Sequence, residues 1–221
     1  MCPNSVLINL NFVFDNRLFE ARLVLVSNCS RVNIEDRIKK QEAMKFIALK
    51  LLSLDSSKLV HGVLGAPILH GICDLGITLS HTQNYCAMML FPSLFLVGLD
   101  IEEYSAEKIE MFKCQITDYE KILISKNDER ISVLIWTLKE SLSKALKVGL
   151  GIDFKFLEVG EIVDNGSYYT CTFQNFPQFM GYGFVNDECA FSFVITKNVH
   201  WSNSYAIEKI SYFMRKRSCL M

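Results

Sequence analysis

The sequence predicts an α+β fold. Two stretches with helical periodicity, residues 34–54 and 128–147, are each followed by short apolar runs of strand length, with turn residues between the runs. Helix followed by antiparallel strands, twice in one chain, is an α+β order. The sequence itself does not repeat; only the order of elements does, which divides the chain into an N-terminal half, 1–104, and a C-terminal half, 105–221.

The elements follow in order. An early strand region precedes the first helix, in which Met44, Ile47, Ala48, Leu51 and Leu52 form one apolar stripe. Short strands are expected near 76–80, 85–91 and 95–101. A connector follows, where Thr117-x-x-Glu120 has the form of a capping box opening a short helix. In the second long helix Ile131, Leu134, Ile135, Leu138, Leu142, Ala145 and Leu146 share a face, and Gly149 is the expected stop. Strands are then expected near 154–163, 168–173 and 189–196, with Asp164-Asn165-Gly166-Ser167 as a hairpin turn.

Composition narrows the class of function. With 221 residues, 50% apolar content and a formal charge of −1, the chain can bury a substantial core. Near-neutral charge argues against a dedicated nucleic-acid binder. No apolar run approaches the ~18 residues of a membrane span, and residues 1–14 lack the basic start of a signal peptide. Eight cysteines without a C-x-x-C pair fit reduced thiols in a cytoplasmic protein better than zinc or a disulfide framework. The end, Ser218-Cys219-Leu220-Met221, places its cysteine third from the terminus, one short of a prenylation box. Arg215-Lys216-Arg217 reads as a solvated basic terminus.

Two runs carry the chemistry. In Gly98-Leu99-Asp100-Ile101-Glu102, strand alternation turns both carboxylates to one face and Ile101 to the other. Like charges this close are stable only in water, beside cations or on a metal. In Trp136-Thr137-Leu138-Lys139-Glu140-Ser141-Leu142-Ser143-Lys144, Trp136, Glu140 and Lys144 fall away from the apolar stripe. A Trp on a charged helix face means that a second layer packs there or that the face lines a site. Singly, each run has an ordinary reading: a solvated strand end, and a surface Glu–Lys pair four residues apart. Together they offer the carboxylates and cations needed to hold a hard divalent ion against a phosphate.

The pair of runs, with Gly76-Ile77-Thr78-Leu79-Ser80-His81 ahead of them, resembles the signature of the 4'-phosphopantetheinyl transferases. Order, spacing and length are similar to the monomeric, surfactin-synthetase-activating type. That resemblance implies a pseudo-dimer of two similar halves with the site between them. It implies transfer of the phosphopantetheine arm of coenzyme A to a serine of an acyl, polyketide or peptidyl carrier protein, releasing 3',5'-ADP. Asp100 and Glu102 would hold Mg2+, with Mn2+ a plausible substitute. Glu140 would be the general base or a third metal ligand. Lys144 would neutralise the pyrophosphate and protonate the leaving oxygen, with Lys139 as a second cation. Ser80, His81 and Lys45 would hold the 3'-phosphate, and Arg31 is a weaker candidate for it.

One departure stands out. The family's Gly-Lys-Pro is Gly65-Ala66-Pro67 here, so a cation is missing near the nucleotide. The carrier would dock on the connector, residues 105–126, where Met111, Phe112, Tyr119, Ile122 and Ile124 lie beside Lys108, Lys113 and Lys121. Two alternatives differ in class: a catalytically silent relative that binds coenzyme A or a carrier as a scaffold, and a generic α+β interaction module.

Overall fold

A computed structural model describes residues 4–27, 37–62, 65–125, 130–201 and 204–215. Arg31, the residues 34–36 and 128–129 where the two long helices are expected to begin, and the basic cluster and cysteine of the C-terminal tail lie outside the described residues, apart from Arg215.

The fold is α+β. Strands β1 (Asn4–Phe14) and β2 (Arg17–Ser27) form a long hairpin whose turn residues Asp15 and Asn16 both have positive φ, as a two-residue hairpin loop requires. Helix α1 (Arg37–Leu51) follows, then the small ribbon β3 (Leu59–His61) and β4 (Pro67–Leu69). Next come the hairpin β5 (Leu75–His81) and β6 (Tyr85–Pro92), and strand β7 (Gly98–Glu103). Two short helices, α2 (Ala106–Lys113) and α3 (Asp118–Ser125), lead to the long α4 (Arg130–Leu146). The chain continues through β8 (Val159–Asp164), β9 (Tyr169–Phe173), β10 (Phe179–Val185), β11 (Cys189–Thr196) and β12 (His200–Trp201) to α5 (Ser204–Arg215).

Two five-stranded antiparallel sheets result, in the orders β12-β1-β2-β6-β5 and β7-β11-β10-β9-β8. Their central strands are buried on both faces. Along β2, Leu23 and Leu25 join one core while Val24 and Val26 join another under α1. Along β11, Phe191, Phe193 and Ile195 join that first core, while Ala190 and Val194 pack under α4. The sheets therefore face one another across a shared core, with α1 outside the first and α4 outside the second. This is why β6 and β11 read as continuous apolar runs rather than alternating ones.

Several expectations need correction. Phe95 to Val97 is a connection rather than the start of a strand, with Leu96 exposed and Phe95 and Val97 buried, and Phe95 sits edge-on to Phe12, Phe14 and Phe19. The boundary at 104 separates strands that belong together. By pairing, β7 joins β11 in the second sheet, while β12 returns from the C-terminal side to pair with β1. Strand β10 and helix α5 add to the expected elements. Helix α4 ends at Leu146, and the left-handed residue that stops it is Lys147 (φ 59°), two residues before Gly149, with Val148 N–H donating to Ser143 O. The capping box is present: Glu120 N–H donates to Thr117 Oγ1, and Thr117 N–H donates back to Glu120 Oε2. So is the 164–167 turn, where Asn165 N–H donates to Tyr168 O.

Candidate active site

Edge strands of the two sheets, β5 and β7, lie side by side. Ser80 on β5 thereby reaches Asp100 on β7, donating from Oγ to Oδ1 at 2.7 Å. Helix α4 crosses β7 so closely that a Cβ on Gly98 would lie 2.0 Å from Ser141 O and 3.0 Å from Lys144 Cβ. Only glycine permits that approach. The approach brings Lys144 Nζ to 2.7 Å from the same Asp100 Oδ1. Behind the contact, Ser141 Oγ and Ser192 Oγ hydrogen-bond at 2.8 Å, joining α4 to β11 opposite Asp100.

A pocket of about 350 Å³ opens at this seam. Ser80, His81, Asp100, Glu102, Lys108, Glu140 and Lys144 form its polar part; Leu79, Met111, Phe112 and Trp136 form an apolar wall. Trp136 satisfies both halves of the alternative posed by the sequence. It lines the pocket, and it is sandwiched between the rings of Phe112 and Phe154, at 4.2 and 4.8 Å between centroids. Phe112 is therefore buried wall rather than exposed surface. Asp100 and Glu102 face the pocket while Ile101 is buried in the core between the sheets, as strand alternation requires.

The electrostatics single out Glu140. Burial, and then the neighbouring Asp100 carboxylate, push its pKa up to about 7 against the opposing pull of Lys144. No hydrogen bond holds its carboxylate among the described residues, so the helix alone directs it. A carboxylate with a pKa near neutrality is suited to take a proton at physiological pH. His81, at the pocket rim, is shifted down by partial desolvation, then by the charges of Lys45 and Lys144, with Asp100 opposing.

The structure turns the nominated Lys139 away from the pocket. Its side chain is 1% exposed, and Nζ donates to Glu120 Oε2 at 2.6 Å and to Gln115 O at 2.9 Å. A cation so committed is not poised for a phosphate. Lys45 is half-buried on α1 and does not line the pocket, although its charge acts on His81. Ala66 sits in the β3–β4 ribbon, where its carbonyl accepts from Gly62 N–H. Sequence reasoning missed the pocket role of Lys108, which pairs with Glu102. The available signal was Ser105, which caps α2 by accepting from Lys108 N–H and so sets Lys108 in the first turn, six residues beyond Glu102.

The residues present fit a hard divalent cation by donor type. Three carboxylates line one pocket, and Asp100 Oδ2 is buried without a hydrogen-bond partner among the described residues. The carboxylates are not gathered into a ready ligand cluster among the described residues. Lys144 and Lys108 supply the positive charge beside Asp100 and Glu102 instead.

Residues 96–193 match the family model of the 4'-phosphopantetheinyl transferase superfamily. No curated protein matches the chain. The matched segment runs from the residues just before β7 into β11, so it takes in Asp100, Glu102, Glu140 and Lys144. Lys45, Ser80 and His81, proposed for the nucleotide, lie ahead of the match and are tied to the domain by structure through the Ser80–Asp100 hydrogen bond. Among the described residues no helix is long and apolar enough to cross a membrane, and Cys73, Cys86, Cys114, Cys171 and Cys189 are free thiols.

Proposed function

We propose that the protein moves the 4'-phosphopantetheine arm of coenzyme A onto a serine of an acyl, polyketide or peptidyl carrier protein. In this reading it is a monomeric, cytoplasmic enzyme of the surfactin-synthetase-activating type, its halves forming a pseudo-dimer about the pocket. The observation that carries the reading is the convergence of Asp100, Glu102, Glu140 and Lys144 on one pocket within the matched domain.

The serine oxygen attacks the phosphorus that bears the arm. A new O–P bond forms, and the P–O bond to the 3',5'-ADP half breaks. Glu140 takes the serine proton, for which its raised pKa suits it. Lys144 leaves Asp100 to neutralise the departing phosphate and supplies its proton. Mg2+, or Mn2+ in its place, would add charge neutralisation at the pyrophosphate when held by Asp100 and Glu102. Ser80, His81 and Lys45 hold the 3'-phosphate, and Lys139 takes no part in binding. Ca2+, larger and looser in geometry, serves poorly. An acidic carrier helix docks on the connector, where Met111, Tyr119 and Ile122 are exposed beside Lys108, Lys113 and Lys121.

Ala66 favours one other reading, a scaffold that binds coenzyme A without transfer. Incubation with coenzyme A, Mg2+ and an apo carrier protein separates the two by the release of 3',5'-ADP. Release supports the enzyme, and binding of coenzyme A without release supports the scaffold.

A further inference from the structure

We propose that Glu120 and Lys139 are a positioning pair that sets the orientation of Glu140 and the wall of the pocket, so that Lys139 acts through its neighbours rather than on a phosphate. The proposal rests on the transferase reading above.

Both side chains are essentially sealed from solvent, at 0% and 1% exposure. Burying two charges is costly unless each is paired and its remaining hydrogen-bonding capacity is filled. Here it is. Glu120 accepts from Thr117 N–H at 2.9 Å, Val159 N–H at 2.8 Å and Lys139 Nζ at 2.6 Å. Lys139 also donates to Gln115 O. One carboxylate thus ties together the start of α3, the start of β8 and the middle of α4. Thr117 reinforces the knot by donating from Oγ1 to Glu158 Oε1.

The knot lies next to Glu140, whose carboxylate has no hydrogen bond among the described residues. On a helix, successive side chains differ by about 100° in direction. Fixing Lys139 therefore fixes where Glu140 points. On the other side Ser141 is held to Ser192, so Glu140 stands between two anchored neighbours. The connector is also pinned to α4 one turn earlier, where Phe112 stacks on Trp136. The wall contributed by Lys108, Met111 and Phe112 on α2 ends at that stack, and the chain then runs on to the Glu120–Lys139 pair.

The test compares wild type, Glu120→Gln, Lys139→Met and the double variant. Each single change strands a buried partner, so each should lower the melting temperature by about 10 °C. The double variant should lose clearly less than the sum. In the folded double variant, calorimetry should find coenzyme A bound within about twofold of wild type. The turnover number should fall tenfold or more with the Michaelis constant for coenzyme A unchanged, because Glu140 is displaced and no ligand contact is lost. A tenfold loss of coenzyme A affinity in that variant, or stability effects that simply add, would overturn the proposal. Wild-type transfer is measured alongside. If wild type transfers nothing, the transferase reading fails, while the stability coupling still decides the pairing.

Discussion

Lys144 Nζ stands 2.7 Å from Asp100 Oδ1, although the two residues are 44 apart in sequence and lie on different elements. Ser80 donates to the same oxygen, and the other carboxylate oxygen is buried without a partner among the described residues. Asp100 is thus half-satisfied by the protein, as the proposed metal ligand should be. Asp100→Ala should abolish transfer, by at least about a hundredfold, while the protein stays folded, because losing this carboxylate removes the proposed metal ligand. Substantial activity in the folded variant, measured by 3',5'-ADP release, would remove Asp100 from the metal site.

Glu140 gives the protein a pH-dependent stability. Its carboxyl titrates near 4.5 when unfolded and near 7 when folded, so between those values the folded state binds more protons. Stability from this group is fully present below about pH 4.5 and is lost as pH rises through about 7. Relative to Glu140→Gln, wild type should lose about 2 kcal/mol between pH 5 and pH 8, read from denaturant midpoints. Mg2+ should restore part of that loss at pH 8. A wild-type profile parallel to that of Glu140→Gln would show that the carboxyl titrates normally.

Gly98 sets the distance between α4 and β7. A methyl group there would meet backbone atoms of α4, Ser141 O at 2.0 Å and Ala145 N at 2.6 Å, which cannot swing aside. Gly98→Ala should cost about 3 kcal/mol, and Lys144 should part from Asp100 as the helix lifts. A melting temperature unchanged from wild type would contradict the close packing.

His81 tests the orientation of the nucleotide. Its downward shift leaves the ring largely neutral at pH 7, so Lys45 supplies the charge and His81 a hydrogen bond. His81→Ala should raise the Michaelis constant for coenzyme A about tenfold with little change in turnover. It should also lose much of the preference for coenzyme A over dephospho-coenzyme A. Lys45→Ala should act in the same direction, and the pair less than additively. An unchanged preference in the His81 variant would place the 3'-phosphate elsewhere.

The parts of this structure legible in sequence are those fixed by local periodicity. Alternation along β7 separates Asp100 and Glu102 from Ile101, and a helical repeat along α4 places Glu140 and Lys144 opposite the apolar stripe. The Thr117–Glu120 capping box is local too. What escaped depends on distant partners. Strand β10 carries Gly181 and Gly183, which lower strand propensity; they are there because a Cβ at either would lie 2.5 Å from Leu138 or Leu134 of α4. Helix α5 had a readable stripe in Ala206, Ile210, Phe213 and Met214, but little flanked it to mark a boundary. The pairing of β7 with β11 joins strands about 90 residues apart, and no local pattern announces it. Lys139 looked like a free cation because its partner, Glu120, already had a visible task as a helix cap.

The most direct measurement is the intact mass of an apo carrier protein after incubation with this protein and coenzyme A, with Mg2+ or with excess chelator. The carrier should gain the mass of one phosphopantetheine arm with Mg2+, and none with chelator or with the Asp100→Ala variant. No gain with any of several carriers, from a protein that still binds coenzyme A, would contradict the transferase. An equal gain with chelator would contradict the metal-binding role of Asp100 and Glu102.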